Sequence, residues 1–168
     1  YDVVFPRPNT RKEYPQKNQN QLSPWQRFIK FNNGQLKELS TNFNPDLYWF
    51  DGDWEKSSEQ WRAESLKDSL LSWNPSVIVN SRLKTHGDYS TPEQGVPIVR
   101  PDGAWEFCMT MNDSWGYYPT DTNYKPVSQI VRTFVEVISS GGNLLLNIGP
   151  KPDGTIANEQ MERLEALG

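Results

Sequence analysis

Two aspartates, Asp51 and Asp53, directly follow the apolar run Leu47-Tyr48-Trp49-Phe50 and are flanked by Trp49 and Trp54. Carboxylates beside indoles suit sugar chemistry. Aromatic faces stack on the apolar faces of pyranose rings, while carboxylates and arginine bind hydroxyls. The plainer alternative is that Asp51 and Asp53 only make a polar turn with Gly52. A second apolar run, Val77-Ile78-Val79, closes on Asn80-Ser81-Arg82, and a third, Trp105 to Met111, closes on Asn112-Asp113-Ser114-Trp115. In parallel sheets and barrels, sites gather where strands end at their carboxyl side.

Hydrolysis of a glycoside requires a pair of carboxyl groups. A retaining enzyme holds them roughly 5–5.5 Å apart, one as nucleophile and one as acid/base. Partners available to Asp51 are Glu93, in the long loop after the second run, and Glu106, at the start of the third. Glu55 and Glu59 head into a helix and are expected to face solvent. Spacing alone leaves Glu93 and Glu106 both open. Other chemistries find less support. His86 is the single histidine, so metal ligation and a serine triad lack partners, and no GxSxG is present. Cys108, between Phe107 and Met109, reads as a buried, inert thiol. No GxGxxG follows a strand and no GxxxxGK[ST] occurs, so no nucleotide cofactor is implied. Asn112-Asp113-Ser114 matches the N-glycosylation sequon, yet its place at a strand end suits a site wall equally well.

These residues need a scaffold, and the apolar pattern predicts one. Ser23-Pro24 reads as an N-cap and first helical position for a helix from Trp25 to about Phe43, ended by Asn44-Pro45. Strands are expected at Leu47–Phe50, Val77–Val79, Trp105–Met111 and Leu144–Ile148. Helices are expected at Ser58–Trp73, from Pro126 to about Ser140, and at Ala157–Leu167. The alternation implies an α/β protein with a parallel sheet. Residues 1–24, polar and rich in proline, are expected to form a loop or arm, and residues 25–168 the catalytic domain.

Composition agrees with a folded domain. The chain has 168 residues, 17 basic against 21 acidic, for a net charge of −4, which argues against a nucleic-acid surface. Mean hydropathy is −0.76, but 12% of residues are aromatic, including seven tryptophans, which argues against disorder. No apolar run is long enough for a membrane span. One cysteine allows no internal disulfide. The first residue is Tyr1 and no signal peptide is visible, so a processed product or a piece of a longer chain is expected.

Three segments carry a resemblance: Leu47 to Glu55 (LYWFDGDWE), Trp105 to Tyr117 (WEFCMTMNDSWGY) and Gly141 to Ile156 (GGNLLLNIGPKPDGTI). They resemble the retaining α-L-fucosidases of glycoside hydrolase family 29, over nearly everything from about residue 22 to 168. The resemblance implies a (β/α)8-type barrel that releases α-linked L-fucose from glycans through a covalent fucosyl-enzyme. It places the nucleophile at Asp51, an aromatic pocket wall at Trp49, and at Arg82 a cation that holds nucleophile and sugar. Trp115 is implied as a wall of the fucose subsite; Trp54, beside the aspartates, is expected from its position as a further substrate-binding ring. For the acid/base it favours Glu93, 42 residues beyond Asp51, with Glu106 as the alternative.

The family's early barrel strands, with their histidines, have no counterpart here, and neither do its final strand and β-sandwich. A complete barrel typically takes about 250 residues. The expectation is therefore a partial barrel of about four parallel strands. It would be completed by missing chain or by a second copy in a homo-oligomer, because open strand edges and apolar faces disfavour a lone monomer. The partner is a fucosylated oligosaccharide or glycoconjugate. The alternative is an inactive remnant that at most binds fucosylated glycans. Extracellular or lysosomal glycans are the family's usual substrates, which leaves the compartment open.

Overall fold

Ser23 and Pro24 start the first helix as their residue types require. In the computed structural model, which describes residues 23–97 and 99–168, α1 runs Pro24–Phe43. Ser23 and Gln26 form a reciprocal capping box at its start, and Asn44 closes it in the left-handed region with its N–H on the Ser40 carbonyl. The proline-rich stretch expected as an arm lies, up to residue 22, outside the described residues.

The described residues form two compact units, divided between Asp88 and Tyr89. In the first, β1 (Leu47–Tyr48) and β2 (Ile78–Val79) pair in parallel. Between them come a 3-10 turn at Asp53–Glu55, α2 (Ser58–Trp61) and α3 (Ala63–Trp73). Tyr48 and Val79 face a core of Leu36, Leu66, Leu70 and Val77, whereas Leu47 and Ile78 on the opposite face are exposed. In the second unit, β3 (Glu106–Thr110) pairs in parallel with β4 (Asn143–Asn147), and α4 (Val127–Ser139) and α5 (Asn158–Leu167) complete it. Its core is Trp105, Phe107, Met109, Met111, Ile130 and Val137. The chain is thus α/β, with four short parallel strands among the described residues.

Two elements differ from expectation. The helix predicted over Ser58–Trp73 breaks at Arg62, which has φ 53°. Trp61 is the reason. Its indole packs edge-on against Trp25 at 4.8 Å, and its Nε1 donates to the Asp53 carbonyl at 2.9 Å. The Trp25 Nε1 in turn takes the Gln60 carbonyl at 2.8 Å, and α3 restarts one residue on. The first strand, expected through Phe50, ends at Tyr48. There the buried Asn80 side chain replaces the backbone ladder. Phe50 N–H donates to Asn80 Oδ1 at 2.9 Å, and Asn80 Nδ2 donates back to the Phe50 carbonyl at 2.9 Å.

Close backbone approach then sets the turn after β2. A Cβ on Gly87 would sit 2.4 Å from the Asn80 carbonyl oxygen and from Ser81 Cα, so only glycine lets the returning chain lie against residues 80–81. Asp88 fastens that return: its carboxylate accepts the Val79 N–H at 2.7 Å and the Lys67 ammonium. Asn80→Ala should lower unfolding free energy by about 1–3 kcal/mol, because it leaves two half-buried polar groups of Phe50 without these partners. Denaturant titration of the purified protein measures this, and an unchanged midpoint would refute the ladder role.

Candidate active site

Beyond β1 the chain turns at Gly52, φ 88°, and the two aspartates part company. Asp53 is absorbed by the scaffold. Its Oδ2 accepts the Lys84 N–H at 2.8 Å, and its carbonyl holds the Trp61 indole. Asp51 instead points its carboxylate outward, with the side chain 56% exposed, and Arg82 Nη1 donates to its Oδ1 at 2.7 Å. The Arg82 guanidinium also lies over the Trp49 ring, 4.6 Å from the centroid. One cation meeting both side chains requires Trp49 and Asp51 to lie on the same side of the chain, as residues two apart in an extended segment do. Arg82 is itself largely buried, at 15%, so its position is set by packing as well as charge. Trp54 is exposed, and His86 stands 3.4 Å from the Ser58 hydroxyl.

Glu93, Glu106 and Trp115 belong to the second unit. Residues 90–94 run parallel beside β3: Glu106 N–H donates to the Ser90 carbonyl at 2.9 Å, Cys108 N–H to Pro92 at 2.9 Å, and Gln94 N–H to Cys108 at 3.0 Å. Glu93 is exposed and level with Cys108 in mid-strand, at the last extended position before Gln94 turns away with φ 59°. Glu106 is half-buried at the amino end of β3, close enough for its charge to act on Tyr89. Trp115 lies past the carboxyl end, where Asn147 Nδ2 donates to its carbonyl at 2.6 Å. Its ring is exposed.

The loop carrying Trp115 is laced by side chains. Asn112 is buried and gives its Nδ2 to Asp121 at 2.9 Å, and Asn123 Nδ2 bonds Asp113 at 2.9 Å. A hydrogen bond from Ser114, with smaller help from backbone N–H groups, holds the Asp121 carboxyl below the usual range. The sequon asparagine is therefore a structural tie rather than an exposed acceptor. Cys108 is a buried free thiol. No group of three or more metal-ligating side chains occurs among the described residues, and no helix among them is long and apolar enough to cross a membrane. Sequence reading passed over Asn80, Gly87 and Asp88 as site-builders. Only the Asn80-Ser81-Arg82 strand end hinted at them.

Fold and site together define an α/β protein whose parallel strands end on a carboxylate, a guanidinium and indoles. A family profile described as alpha-L-fucosidase matches residues 5–168. The chain belongs to the α-L-fucosidase family. It is 34% identical over 149 residues to an α-L-fucosidase of Dictyostelium discoideum, covering 80% of this chain and 32% of that one. To the tissue α-L-fucosidase of Homo sapiens it is 35% identical, covering 80% and 31%. It thus spans about a third of the length of these relatives. Among solved structures, α-L-fucosidase isoenzyme 1 of Paenibacillus thiaminolyticus superposes with a TM-score of 0.77 at 35% identity, over 88% of this chain and 40% of that one. The Thermotoga maritima α-fucosidase in complex with a mechanism-based inhibitor gives 0.73 at 35% identity, over 84% and 33%.

The neighbourhood of Glu106 has its own readout. Burial, and secondarily the negative charge of Glu106, pushes the Tyr89 phenol up to about 12, and its hydroxyl is buried with no hydrogen-bond partner among the described residues. A raised folded-state value means the native state keeps its proton after the unfolded chain has lost it. The associated stability is complete below pH 10 and drains away as pH rises towards 12. Tyr89→Phe should leave stability at pH 7 unchanged or slightly higher and flatten the loss above pH 10. Unfolding curves across that range test it, and an equal loss in wild type and variant would refute it.

Proposed function

We propose that the full protein containing this chain is a retaining exo-glycosidase that releases α-linked L-fucose. The carrying observation is the Asp51–Arg82–Trp49 cluster at the end of β1 in a member of the α-L-fucosidase family. Arg82 orients the carboxylate through one oxygen, and the exposure of Asp51 leaves it open to an incoming sugar. In this reading Asp51 attacks the anomeric carbon as the glycosidic C–O bond breaks, and Glu93 gives its proton to the departing oxygen. Water then attacks the fucosyl-enzyme, Glu93 takes the water's proton, and Asp51 is regenerated as fucose leaves.

Glu93 is preferred to Glu106 on position. Glu93 is exposed beside the middle of β3, two residues further toward the carboxyl end than Glu106, which is half-buried beside Tyr89 at the amino end. Sites of parallel α/β folds lie at carboxyl ends. Trp115 and Trp54 offer exposed rings for stacking on sugar, Trp115 against the fucose methyl side. Trp49 has one face covered by Arg82, so it meets the sugar by its edge or other face. The substrate class is a fucosylated oligosaccharide or glycoconjugate.

The reading includes a (β/α)8 barrel of which this chain supplies four strands. Exposed Leu47, Ile78 and Leu145 on the strands support it, because such faces call for cover by further barrel, from missing chain or a second copy. Light scattering decides the second source. Self-completion predicts a multiple of 19.4 kDa for this chain, and a stable monomer of that mass would defeat it.

In the full protein, Asp51→Ala should cut turnover of an aryl fucoside by about a thousandfold or more. Near wild-type activity would sink the assignment. Glu93→Ala should lose about 10²–10⁴-fold on poor leaving groups and regain turnover with added azide. If Glu106→Ala shows that behaviour and Glu93→Ala does not, the acid/base is Glu106.

A further inference from the structure

The ladder between residues 90–94 and β3 ends in an unusual way. After Gln94 N–H reaches the Cys108 carbonyl, the next bond in register belongs to the Thr110 N–H, and backbone from the neighbouring run does not supply it. Gln94 turns into the left-handed region, with φ 59°, and sends its side chain back across β3. Thr110 N–H donates to Gln94 Oε1 at 3.5 Å, and Gln94 Nε2 donates to Thr110 Oγ1 at 3.2 Å. The buried Thr110 hydroxyl is then saturated: it also accepts from Lys125 Nζ at 3.3 Å and donates its own proton to the Asn112 carbonyl. Lys125 Nζ donates to that same carbonyl at 3.2 Å.

This arrangement fixes one residue above all. Glu93 lies between two peptide bonds tied to Cys108 and immediately before a left-handed glutamine whose amide is anchored on the buried Thr110. A non-glycine residue in that backbone region persists only where its surroundings impose it, and such strain concentrates at functional positions. An exposed glutamine has no need of a buried partner for solubility. We propose that Gln94, anchored by Thr110 and Lys125, is a positioning residue that sets the direction of the Glu93 carboxyl for proton transfer. The inference rests on the reading of Glu93 as acid/base. Gln94 itself touches no reacting atom; it acts through the backbone of its neighbour.

The test compares aryl fucosides of good and poor leaving groups in the full protein. Gln94→Asn keeps an amide and a residue type at ease in the left-handed region, but is one methylene too short to reach Thr110. It should melt somewhat below wild type, for the unpaired Thr110 N–H, yet fold, and lose about tenfold to a hundredfold in kcat on poor leaving groups, with activated substrates changed less than about twofold. Thr110→Val should behave alike and Thr110→Ser should recover wild-type rates. Added to Glu93→Ala, Gln94→Asn should cause no further loss, because the group it positions is gone. Equal losses on both substrate types, or additive losses in the double variant, would overturn the inference while leaving Glu93 in its role. If Glu93→Ala itself shows no dependence on leaving group, the underlying reading fails and this inference with it.

Discussion

A parallel ladder that stops inside a folded chain strands backbone N–H and C=O groups, and each must find another partner or cost free energy. Here side-chain amides meet that demand. Asn80 bonds both polar groups of Phe50 where β1 has ended, and Gln94 takes the Thr110 N–H at the end of β3. Asn147 closes β4 by bonding the Trp115 carbonyl, and Gln160 of α5 accepts the Gly149 N–H in the following loop. An amide can donate and accept at once, which suits it to a place where a strand would otherwise offer both groups. Because the amides sit on side chains, the backbone beyond each is released to turn. Asp51, Glu93 and Trp115 all stand within a few residues of such a substitution.

That arrangement explains how an exposed carboxylate can still be well placed. Asp51 is more than half exposed, where a lone ion pair with solvent on most sides contributes little. Its geometry comes from Arg82, which is nearly buried, stacked on Trp49, and carried by a turn that Gly87 and Asp88 hold against β2. The order therefore passes from core to surface: Asn80 sets Phe50, the turn sets Arg82, and Arg82 sets Asp51. The packed side chains carry the stability, and the ion pair carries the direction.

Much of this was legible in the amino-acid sequence. Apolar runs with abrupt polar ends located all four strands and the residues after them, and Ser23-Pro24 marked the start of α1 correctly. The break at Arg62 was hidden because Ser58–Trp73 has an unbroken helical pattern. It is Trp25, distant in sequence, together with the Asp53 carbonyl in the turn before the helix, that draws Trp61 out of line. Strand ends erred for a similar reason. Leu47–Phe50 is apolar throughout, and nothing local shows that Asn80 will replace the ladder after Tyr48. Polar substitutions of this kind depend on which side chain arrives from another strand, and hydrophobic period carries no record of that.

Glu93 and Glu106 differ in position along the strand although not in residue type. Glu93 and Glu106 are both glutamates on neighbouring parallel runs, joined by the ladder through Ser90, Pro92 and Cys108. Glu106 begins β3, where its negative charge adds to burial in keeping the Tyr89 phenol protonated. Glu93 comes last in its run, at a point where the chain accepts a left-handed residue to turn away. A strand used only for packing would gain by relaxing that residue to glycine. Keeping glutamine there makes sense if its amide, bound to Thr110, stabilises a conformation that does something besides fold.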